Sequence, residues 1–418
     1  MTRMKESGID WIGQIPEEWE MSKIRYLVTT RSEKRITDSS VPYIGLENIE
    51  SQTGKFVKTG IQVDKSENIV VEIGDVLFGK LRPYLRKYWR ATFTSTASSE
   101  FLVFQSSELD MNFLYYAIQS DSFIEEVNTS TYGSKMPRAS WEYIKNMRIA
   151  FPTSLVEQQK IADFLDKKIV QLDKVKSLLE EQIQKLKDYR ASLIYETVTK
   201  GLDKTVPMKD SGVDWIGQIP QGWGVGKVKY FSQISAGATP DRNNSLFWNG
   251  NINWMSSGEI NQGIVKHTSE TITDLALKRT STKLLPNGTV MLALNGQGKT
   301  KGTAAVLAIE SASNQSLASF IVDNKILNNM YLYYFFVANY YNIRGLKGED
   351  RDGLNLQLVS NIVIPLFEIE KQQKIVDFLD KKTVQIDKLI QIKNEQIKNI
   401  NKQRQTLIYD YVTGKRRV

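Results

Sequence analysis

The hydrophobic positions of two long, otherwise polar segments recur with the period of a coiled-coil helix. In the segment from about Glu157 to Val198, leucines repeat every seven residues: Leu165, Leu172, Leu179, Leu186 and Leu193. This apolar stripe is widened by Val175, Ile183 and Tyr189. The second segment carries Leu379, Ile386, Lys393, Ile400 and Leu407 at the equivalent positions. Each helix would span roughly 60 Å at about 1.5 Å per residue. Because either helix alone would expose its stripe, we expect the two to pack as an antiparallel pair.

Both segments belong to a repeat that closes on itself. Ser7–Pro16 returns as Ser211–Pro220, nine of ten residues identical, at an offset of 204. Gln158–Lys168 returns as Gln372–Lys382 at an offset of 214, and the two offsets together equal the chain length of 418. The chain is therefore a cycle of two units, cut once. Such a cycle predicts a pseudo-two-fold protein whose terminal segments lie close together.

The segments between the repeated motifs, residues 21–149 and 225–364, are predicted to be mixed α/β domains. Short strand-like runs, such as residues 69–73 and 100–104, alternate with turns rich in Gly, Ser, Thr and Asn. The most apolar stretch, Tyr331–Tyr341, is too short to span a bilayer and is predicted to be a buried helix. The predicted fold class is α+β. Its expected domains are 1–153, 154–204 (first long helix), 205–366 and 367–418 (second long helix).

The two variable domains diverge most in loops that carry cations and amides. In the first unit the candidates for DNA contact are Lys80, Arg82, Tyr84, Arg86, Lys87, Ser134, Lys135 and Arg138. In the second unit they are Arg242, Gln297, Lys299, Lys301, Asn314, Gln315, Lys347 and Arg351. Lys and Arg supply affinity for phosphates, Arg also binds guanine edges, and Asn and Gln pair with adenine edges. The alternative is that these loops are merely solvated.

Composition narrows the choice of function. The chain has no cysteine and one histidine, which excludes disulfides and thiolate metal sites and fits a reducing, cytoplasmic compartment. A net charge of +8 favours a polyanionic partner. Residues 293–300 satisfy a relaxed phosphate-loop pattern, but a turn and a strand are predicted to follow them, whereas a true phosphate loop opens a helix. We therefore expect no nucleotide hydrolysis, no metal site and no catalytic residue.

Together these features resemble the specificity subunit of type I restriction-modification systems over essentially the whole chain. The most specific elements are the segment Asp10–Pro16, repeated as Asp214–Pro220, and the helix start Gln158–Asp166, repeated as Gln372–Asp380. Three further segments look like the opening of a target-recognition domain of this family: Ala238–Pro240, Phe247–Gly250 and Trp254–Ile260. The first unit departs from that opening, with residues 42–49 as a shorter counterpart.

The resemblance implies a non-catalytic subunit in which each of two target-recognition domains reads one half of a split site in double-stranded DNA. It implies that the repeated regions bind two modification subunits, which methylate adenine N6 with S-adenosylmethionine. Restriction subunits would use ATP and magnesium to translocate and cleave DNA. On this interpretation no cofactor binds to this chain, and there is no membrane partner. The repeated residues would form the surface that binds the modification subunits, and the divergent domains would recognise the DNA sequence.

Two other classes of function stay open. One is a tandem-repeat protein-binding scaffold without DNA specificity, and the other is a self-contained methyltransferase-nuclease, whose catalytic motifs are missing from the sequence. The bases recognised, the gap between half-sites and the presence of restriction activity do not follow from the residues.

Overall fold

The computed structural model describes residues 3–37, 41–59, 66–133, 135–296, 298–346 and 353–418. Contacts divide the chain into two units, Met1–Glu180 with Lys393–Val418, and Glu181–Ile392. Each unit holds one variable segment and one half of each long helix. The division into four domains given above stays a prediction. The contacts give two units instead, and each unit includes part of both long helices.

Among the described residues of the first unit, short strands and three short helices precede the first long helix. The strands are β1 Met4–Glu6, β2 Gln14–Pro16, β3 Trp19–Lys23, β4 Thr29–Thr30, β5 Lys34–Ile36, β6 Tyr43–Ile44, β7 Glu67–Val71, β8 Val76–Gly79, β9 Tyr88–Arg90, β10 Ser95–Ala97, β11 Phe101–Gln105 and β12 Arg148–Pro152. The helices are α1 Met111–Ala117, α2 Asp121–Thr129, α3 Trp141–Ile144 and α4 Leu155–Lys200. The variable segment forms two four-stranded sheets, ordered β5-β7-β10-β6 and β4-β11-β8-β9.

The second unit repeats this plan with longer strands. Its strands are β13 Met208–Asp210, β14 Gln218–Pro220, β15 Gly224–Lys227, β16 Ser232–Ala236, β17 Trp248–Met255, β18 Ile264–Val265, β19 Glu270–Ile272, β20 Val290–Ala293, β21 Ala304–Leu307, β22 Ala312–Ser313, β23 Leu317–Val322 and β24 Val363–Leu366. Its helices are α5 Asp274–Arg279, α6 Asn329–Ala338, α7 Tyr340–Arg344, α8 Leu356–Ser360 and α9 Ile369–Val412. The variable sheets are ordered β16-β23-β20-β21-β18 and β19-β17-β22.

In each unit the first and last strands of the variable domain pair with each other. Strand β3 pairs antiparallel with β12, and β15 pairs antiparallel with β24. The domain thus begins and ends at one place, directly before the long helix. The prediction of two mixed α/β domains joined to long helices is confirmed by this topology.

The two long helices run antiparallel, as predicted. In the first unit the ring of Phe164 of α4 packs against that of Tyr411 of α9 with 4.5 Å between ring centroids, while Asp173 lies 3.9 Å from Arg404. Residue numbers thus rise along one helix as they fall along the other. The predicted widening of the stripe is only partly right: Ile183 is 7% exposed, whereas Val175 is 47% and Tyr189 is 55% exposed.

The repeated motifs bond the variable domain to its helices. The buried amide of Gln158 accepts a hydrogen bond from the backbone N–H of Asp110 at 2.7 Å, and its repeat Gln372 accepts one from Asn328 at 2.9 Å. Asp110 and Asn328 cap helices α1 and α6. In the second unit the hydroxyl of Tyr334 donates to Asp380 at 2.5 Å. Much of the repeated sequence is therefore internal structure.

The terminal segments lie in contact within the first unit, as the cyclic repeat predicts. The Nζ of Lys415 donates to the carbonyl of Gln14 at 2.5 Å, and Arg417 pairs with Glu18. The hydroxyl of Tyr409 donates to the carbonyl of Trp11 at 2.9 Å. One end of the chain therefore closes against the other.

The apolar stretch Tyr331–Tyr341 is helical but not one helix. Helix α6 ends at Ala338, Asn339 leaves the helical conformation, and α7 begins at Tyr340. Tyr331 is buried, but Tyr341 is 83% exposed, so the prediction of a buried helix holds for α6 alone. Within the described ranges, no helix combines the length and the apolarity needed to cross a bilayer.

Candidate nucleic-acid interface

Two loops of the first unit that were predicted to contact DNA lie against each other. They are residues 80–87, between β8 and β9, and residues 132–133 and 135–138, between α2 and α3; we call them the paired loops. Leu81 forms an antiparallel bridge with Arg138, and the backbone N–H of Arg82 donates to the carbonyl of Pro137 at 2.7 Å. The guanidinium of Arg82 donates to the carbonyl of Lys135 at 3.1 Å. Cations distant in sequence are thereby brought to one place.

The cations of the paired loops differ in how far they are neutralised. Arg138 forms two hydrogen bonds with Glu100, at 2.9 and 3.2 Å, and these bonds lower the pKa of the Glu100 carboxyl. Burial lowers the pKa of Lys80, against the opposing effect of Glu100. Lys135 is exposed. Lys135, together with half-exposed Lys80 and Arg82, is therefore best placed to meet phosphates.

Two predicted contact residues have roles inside the unit instead. Arg86 pairs with Asp121 of α2 at 2.5 Å, and the ammonium of Lys87 donates to the carbonyl of Ile49. These bonds hold the loop on the domain. Binding of DNA by Arg86 and Lys87 is therefore less supported than the sequence alone indicates.

The corresponding loop of the second unit joins β20 to β21. Lys299 is exposed, while its carbonyl accepts a hydrogen bond from Tyr340 at 2.8 Å. Lys301 is only 2% exposed, which argues against its predicted contact with DNA. The strand β21, Ala304–Leu307, follows the loop, and the structure assigns no helix directly after it. The predicted strand after this loop is confirmed, whereas a phosphate loop opens a helix.

Arg242 lies at a second exposed position of this unit. Its guanidinium pairs with both carboxylate oxygens of Glu270 and lies 4.2 Å from the ring centroid of Trp248 and 5.1 Å from that of Trp254. The bonds to Glu270 raise the pKa of Arg242. Such a guanidinium is oriented before any ligand arrives. Sequence reasoning selected Arg242 but missed the residues that position it.

The remaining candidates divide into two sets. Gln315 is exposed and accepts a hydrogen bond from Thr239 at 2.5 Å, and half-exposed Asn314 accepts one from the backbone of Ser316 at 3.1 Å. Four predicted residues lie outside the described residues: Ser134, Gln297, Lys347 and Arg351. In the part of the chain that is described, no group of acidic or histidine side chains could hold a metal ion.

A second candidate surface lies on the long helices, within the repeated regions that were expected to bind modification subunits, although no residue of it was singled out from the sequence. On α4 it consists of Lys160, Asp163, Lys167, Val170, Gln171 and Lys174. On α9 the same residue types recur at Lys374, Asp377, Lys381, Val384, Gln385 and Lys388. All twelve side chains are exposed, including Val170 at 68% and Val384 at 66%. Because successive residues of an α-helix are rotated by about 100° around its axis, the six side chains of each set fall within an arc of about 100°. We call this surface, present once in each unit, the repeated face.

The chain matches a family model described as the type I restriction modification DNA specificity domain, at residues 16–187 and again at 220–402. It is 24% identical over 429 residues to the type I restriction enzyme MjaVIII specificity subunit of Methanocaldococcus jannaschii, covering 97% of this chain and 94% of that protein. It is also 27% identical over 186 residues to the EcoR124I/EcoR124II specificity subunit of Escherichia coli, over 43% of each chain.

Solved structures share the fold. One is a chain from a study of complex assembly and conformational transition in the type I R-M system, with a TM-score of 0.75, 18% identity, and coverage of 95% of this chain and 98% of that one. The HsdS subunit of Thermoanaerobacter tengcongensis gives a TM-score of 0.54 at 17% identity, over 96% and 98% of the two chains. With two copies of the specificity domain covering most of its length, the chain belongs to the type I restriction-modification DNA specificity subunits.

Proposed function

We propose that each variable domain of this subunit reads one half of a bipartite DNA site. The support is the position of the divergence: the two units share helices and entry motifs, but the loops with the exposed cations differ in sequence and length. Exposed Lys135 in one unit and Lys299 in the other supply affinity for phosphates, and the oriented Arg242 is suited to a guanine edge.

We further propose that the repeated face binds two copies of one partner, the modification subunit. The observation that carries this proposal is identity at exposed positions. Packing inside the chain explains why Gln158 and Gln372 are the same, because both are buried and hydrogen-bonded. Packing does not explain why the exposed residues Val170 and Val384 are both valines, or why lysines recur at equivalent positions around them. Two equal partners require two equal surfaces, and a closed two-unit cycle supplies them.

The partners then bring the chemistry. Modification subunits would methylate adenine N6 with S-adenosylmethionine, and restriction subunits would use ATP and magnesium. This chain would bind none of these cofactors and would carry out no reaction alone; its contribution is to position the partners on the DNA.

Counting bound partners tests the repeated face. We expect Val170→Glu to leave one modification subunit bound per chain, Val384→Glu likewise, and the double variant to leave none. Native mass spectrometry of the purified complex measures this stoichiometry. Tyr189→Glu is the matched control, since Tyr189 is 55% exposed on the same helix but outside the repeated face. Two bound subunits in the double variant would contradict the proposal.

Salt dependence separates DNA recognition from a protein scaffold. The assembled complex should bind a short duplex with an affinity that falls steeply as salt rises, because phosphate contacts release counterions. Lys135→Ala should reduce that slope by about one, as expected for one lost phosphate contact. An affinity for duplex DNA that does not respond to salt would favour the scaffold.

A further inference from the structure

We propose that the paired loops of the first unit carry an apolar wedge that enters the base stack of its half-site and bends the DNA there. The wedge consists of Tyr84, Leu85 and Met136, and the proposal rests on the proposed function of this domain as a DNA reader. It assigns the domain a specific means of reading: it recognises the deformability of a base step in addition to base edges.

The wedge is unusual because of its exposure. Tyr84 is 51%, Leu85 37% and Met136 55% exposed, and Tyr132 beside Met136 is 65% exposed. They lie on two loops whose backbones are hydrogen-bonded to each other, and Arg82, two residues before Tyr84, donates to the carbonyl of Lys135, the neighbour of Met136. Contiguous exposed apolar side chains in a soluble protein mark a site that binds something.

The backbone under the wedge is held in an uncommon conformation. Arg82 and Arg86 have φ values of 50° and 55°, in the left-handed region, and they flank the single 3-10 turn Pro83–Leu85. Non-glycine residues adopt that conformation only where surrounding contacts require it. Here the contacts are the bond from Arg82 to Pro137, the bond from Leu85 N–H to the carbonyl of Arg82 at 2.8 Å, and the pair of Arg86 with Asp121. The strained turn therefore presents Tyr84 and Leu85 rigidly.

The surroundings of the wedge favour DNA over a protein partner. The same two loops also carry the cations Lys80, Arg82 and Lys135, so that the exposed apolar side chains have positive charges near them in the chain. A DNA duplex has the complementary arrangement, with apolar base faces between two lines of phosphates. Proteins that kink DNA insert side chains such as Leu and Met between base pairs, and pyrimidine–purine steps open most readily. We therefore expect the wedge to select such a step.

The second unit has no such feature at the equivalent loop. Between β20 and β21 its residues 295–301 are Asn, Gly, Gln, Gly, Lys, Thr and Lys, with no aromatic or aliphatic side chain. We therefore expect no wedge from this loop, and the deformation proposed here is that of the half-site read by the first unit.

The test uses the full chain assembled with its modification subunits, on a duplex of the site that this complex methylates. Bending is measured by energy transfer between dyes at the duplex ends, and unstacking by a fluorescent base analogue placed in turn at each step of the first half-site. We expect a bend centred in that half-site. Tyr84→Ala combined with Leu85→Ala should abolish the bend and weaken binding about tenfold, with the salt slope unchanged.

Two controls separate the wedge from its rim and from general damage. Lys135→Ala should lower the salt slope and keep the bend, while Tyr26→Ala, which removes a tyrosine that is 67% exposed on another element, should change neither. A mismatch at the deformed step should strengthen binding by the wild-type complex but not by the double variant.

The outcomes are distinct. A straight half-site in the wild-type complex, or a bend that survives in the double variant, would overturn the wedge while leaving DNA recognition intact. Failure of the wild-type complex to bind any duplex specifically would overturn the proposed function, and the wedge with it.

Discussion

The first half of the chain, residues 1–204, should form a two-fold dimer without the second half. The reason lies in two ion pairs, each of which joins one antiparallel helix to the other. In the first unit Asp173 faces Arg404, and in the second Arg190 lies 3.2 Å from Asp387. By the repeat, Arg404 is equivalent to Arg190 and Asp387 to Asp173. The fragment therefore holds both partners of the pair, and two antiparallel copies of α4 form it twice.

The cost of exchanging α9 for a second α4 is small. In the first unit's core, α9 contributes three buried side chains: Ile408, Tyr411 and Val412. In the dimer, the second copy of α4 would place Ile194, Thr197 and Val198 at these positions. Two of the three are identical. The third loses the ring contact between Phe164 and Tyr411, worth about 0.5–1.5 kcal/mol. Because the contact occurs twice, the dimer loses about 1–3 kcal/mol relative to the native pairing.

Sedimentation equilibrium of the fragment measures this directly. A dissociation constant of about 1 μM corresponds to about −8.2 kcal/mol, and we expect the fragment to associate at least that strongly. Asp173→Arg places like charges opposite each other and should dissociate the dimer. Adding Arg190→Asp reverses both charges and should restore it. A folded wild-type fragment that stays monomeric at 10 μM, or a double variant that does not recover, would refute the antiparallel register.

The same fragment has a functional consequence. Assembled with modification subunits, the dimer should direct methylation of a palindrome made from the first half-site and its inverted repeat. Residues 205–418 should dimerise in the same way but less readily, because the same register places Lys393 opposite Lys398 of the other copy. Lys398 is exposed and Lys393 is only partly buried, so that repulsion amounts to a few tenths of a kcal/mol per pair.

Three further predictions test separate parts of the structure. Since burial lowers the pKa of Lys80, its ammonium loses charge at a lower pH than that of an ordinary lysine; DNA affinity should fall as the pH is raised into the alkaline range, and Lys80→Arg should remove the fall in a binding titration. Inserting four residues after Ser177 and four after Asn399 lengthens both helices by about 6 Å and should widen the preferred gap between half-sites by one or two base pairs, read from the methylated motif, without changing either half-site. Gln158→Leu leaves the backbone N–H of Asp110 without its acceptor and should lower the free energy of unfolding by about 1–3 kcal/mol in urea titration, whereas Gln159→Leu, whose side chain donates to Asp163 of the same helix, should not.

The helices and the cycle were predictable because their signals are local. A seven-residue period requires no knowledge of the rest of the fold, and it placed the first helix at 157–198, within two residues of each end of α4. The closeness of the terminal segments followed from the two repeat offsets alone. The exposure of Val175 and Tyr189 did not follow, because one partner helix covers only one side of a stripe.

The sequence alone could not show which of the repeated residues are buried inside the chain and which are exposed to a partner. Sequence identity alone assigned all of them to the partner surface, but Gln158 and Gln372 are buried and bond the domain to its helix. The exposed part, typified by Val170 and Val384, is the smaller share. Identity shows that two positions serve the same purpose, and burial is needed to show whether that purpose is internal.

The loop cations show the same limit. The residues that neutralise or orient them lie far away along the chain: Glu100 is 38 residues from Arg138, Asp121 is 35 from Arg86, and Glu270 is 28 from Arg242. No local sequence pattern predicts an ion pair between residues so far apart in the chain. A count of basic residues in a loop therefore overestimates the charge that is available to DNA.

Sequencing the methylated bases of a host that expresses this chain with its modification subunits tests the central claim most directly. Two different readers on one subunit predict a split motif of two unlike half-sites separated by a fixed unspecified gap. Replacing residues 21–149 with the variable domain of another specificity subunit should change one half-site and leave the other half-site intact. A continuous motif, or a change in both halves after that single replacement, would contradict the assignment of one reader to each unit.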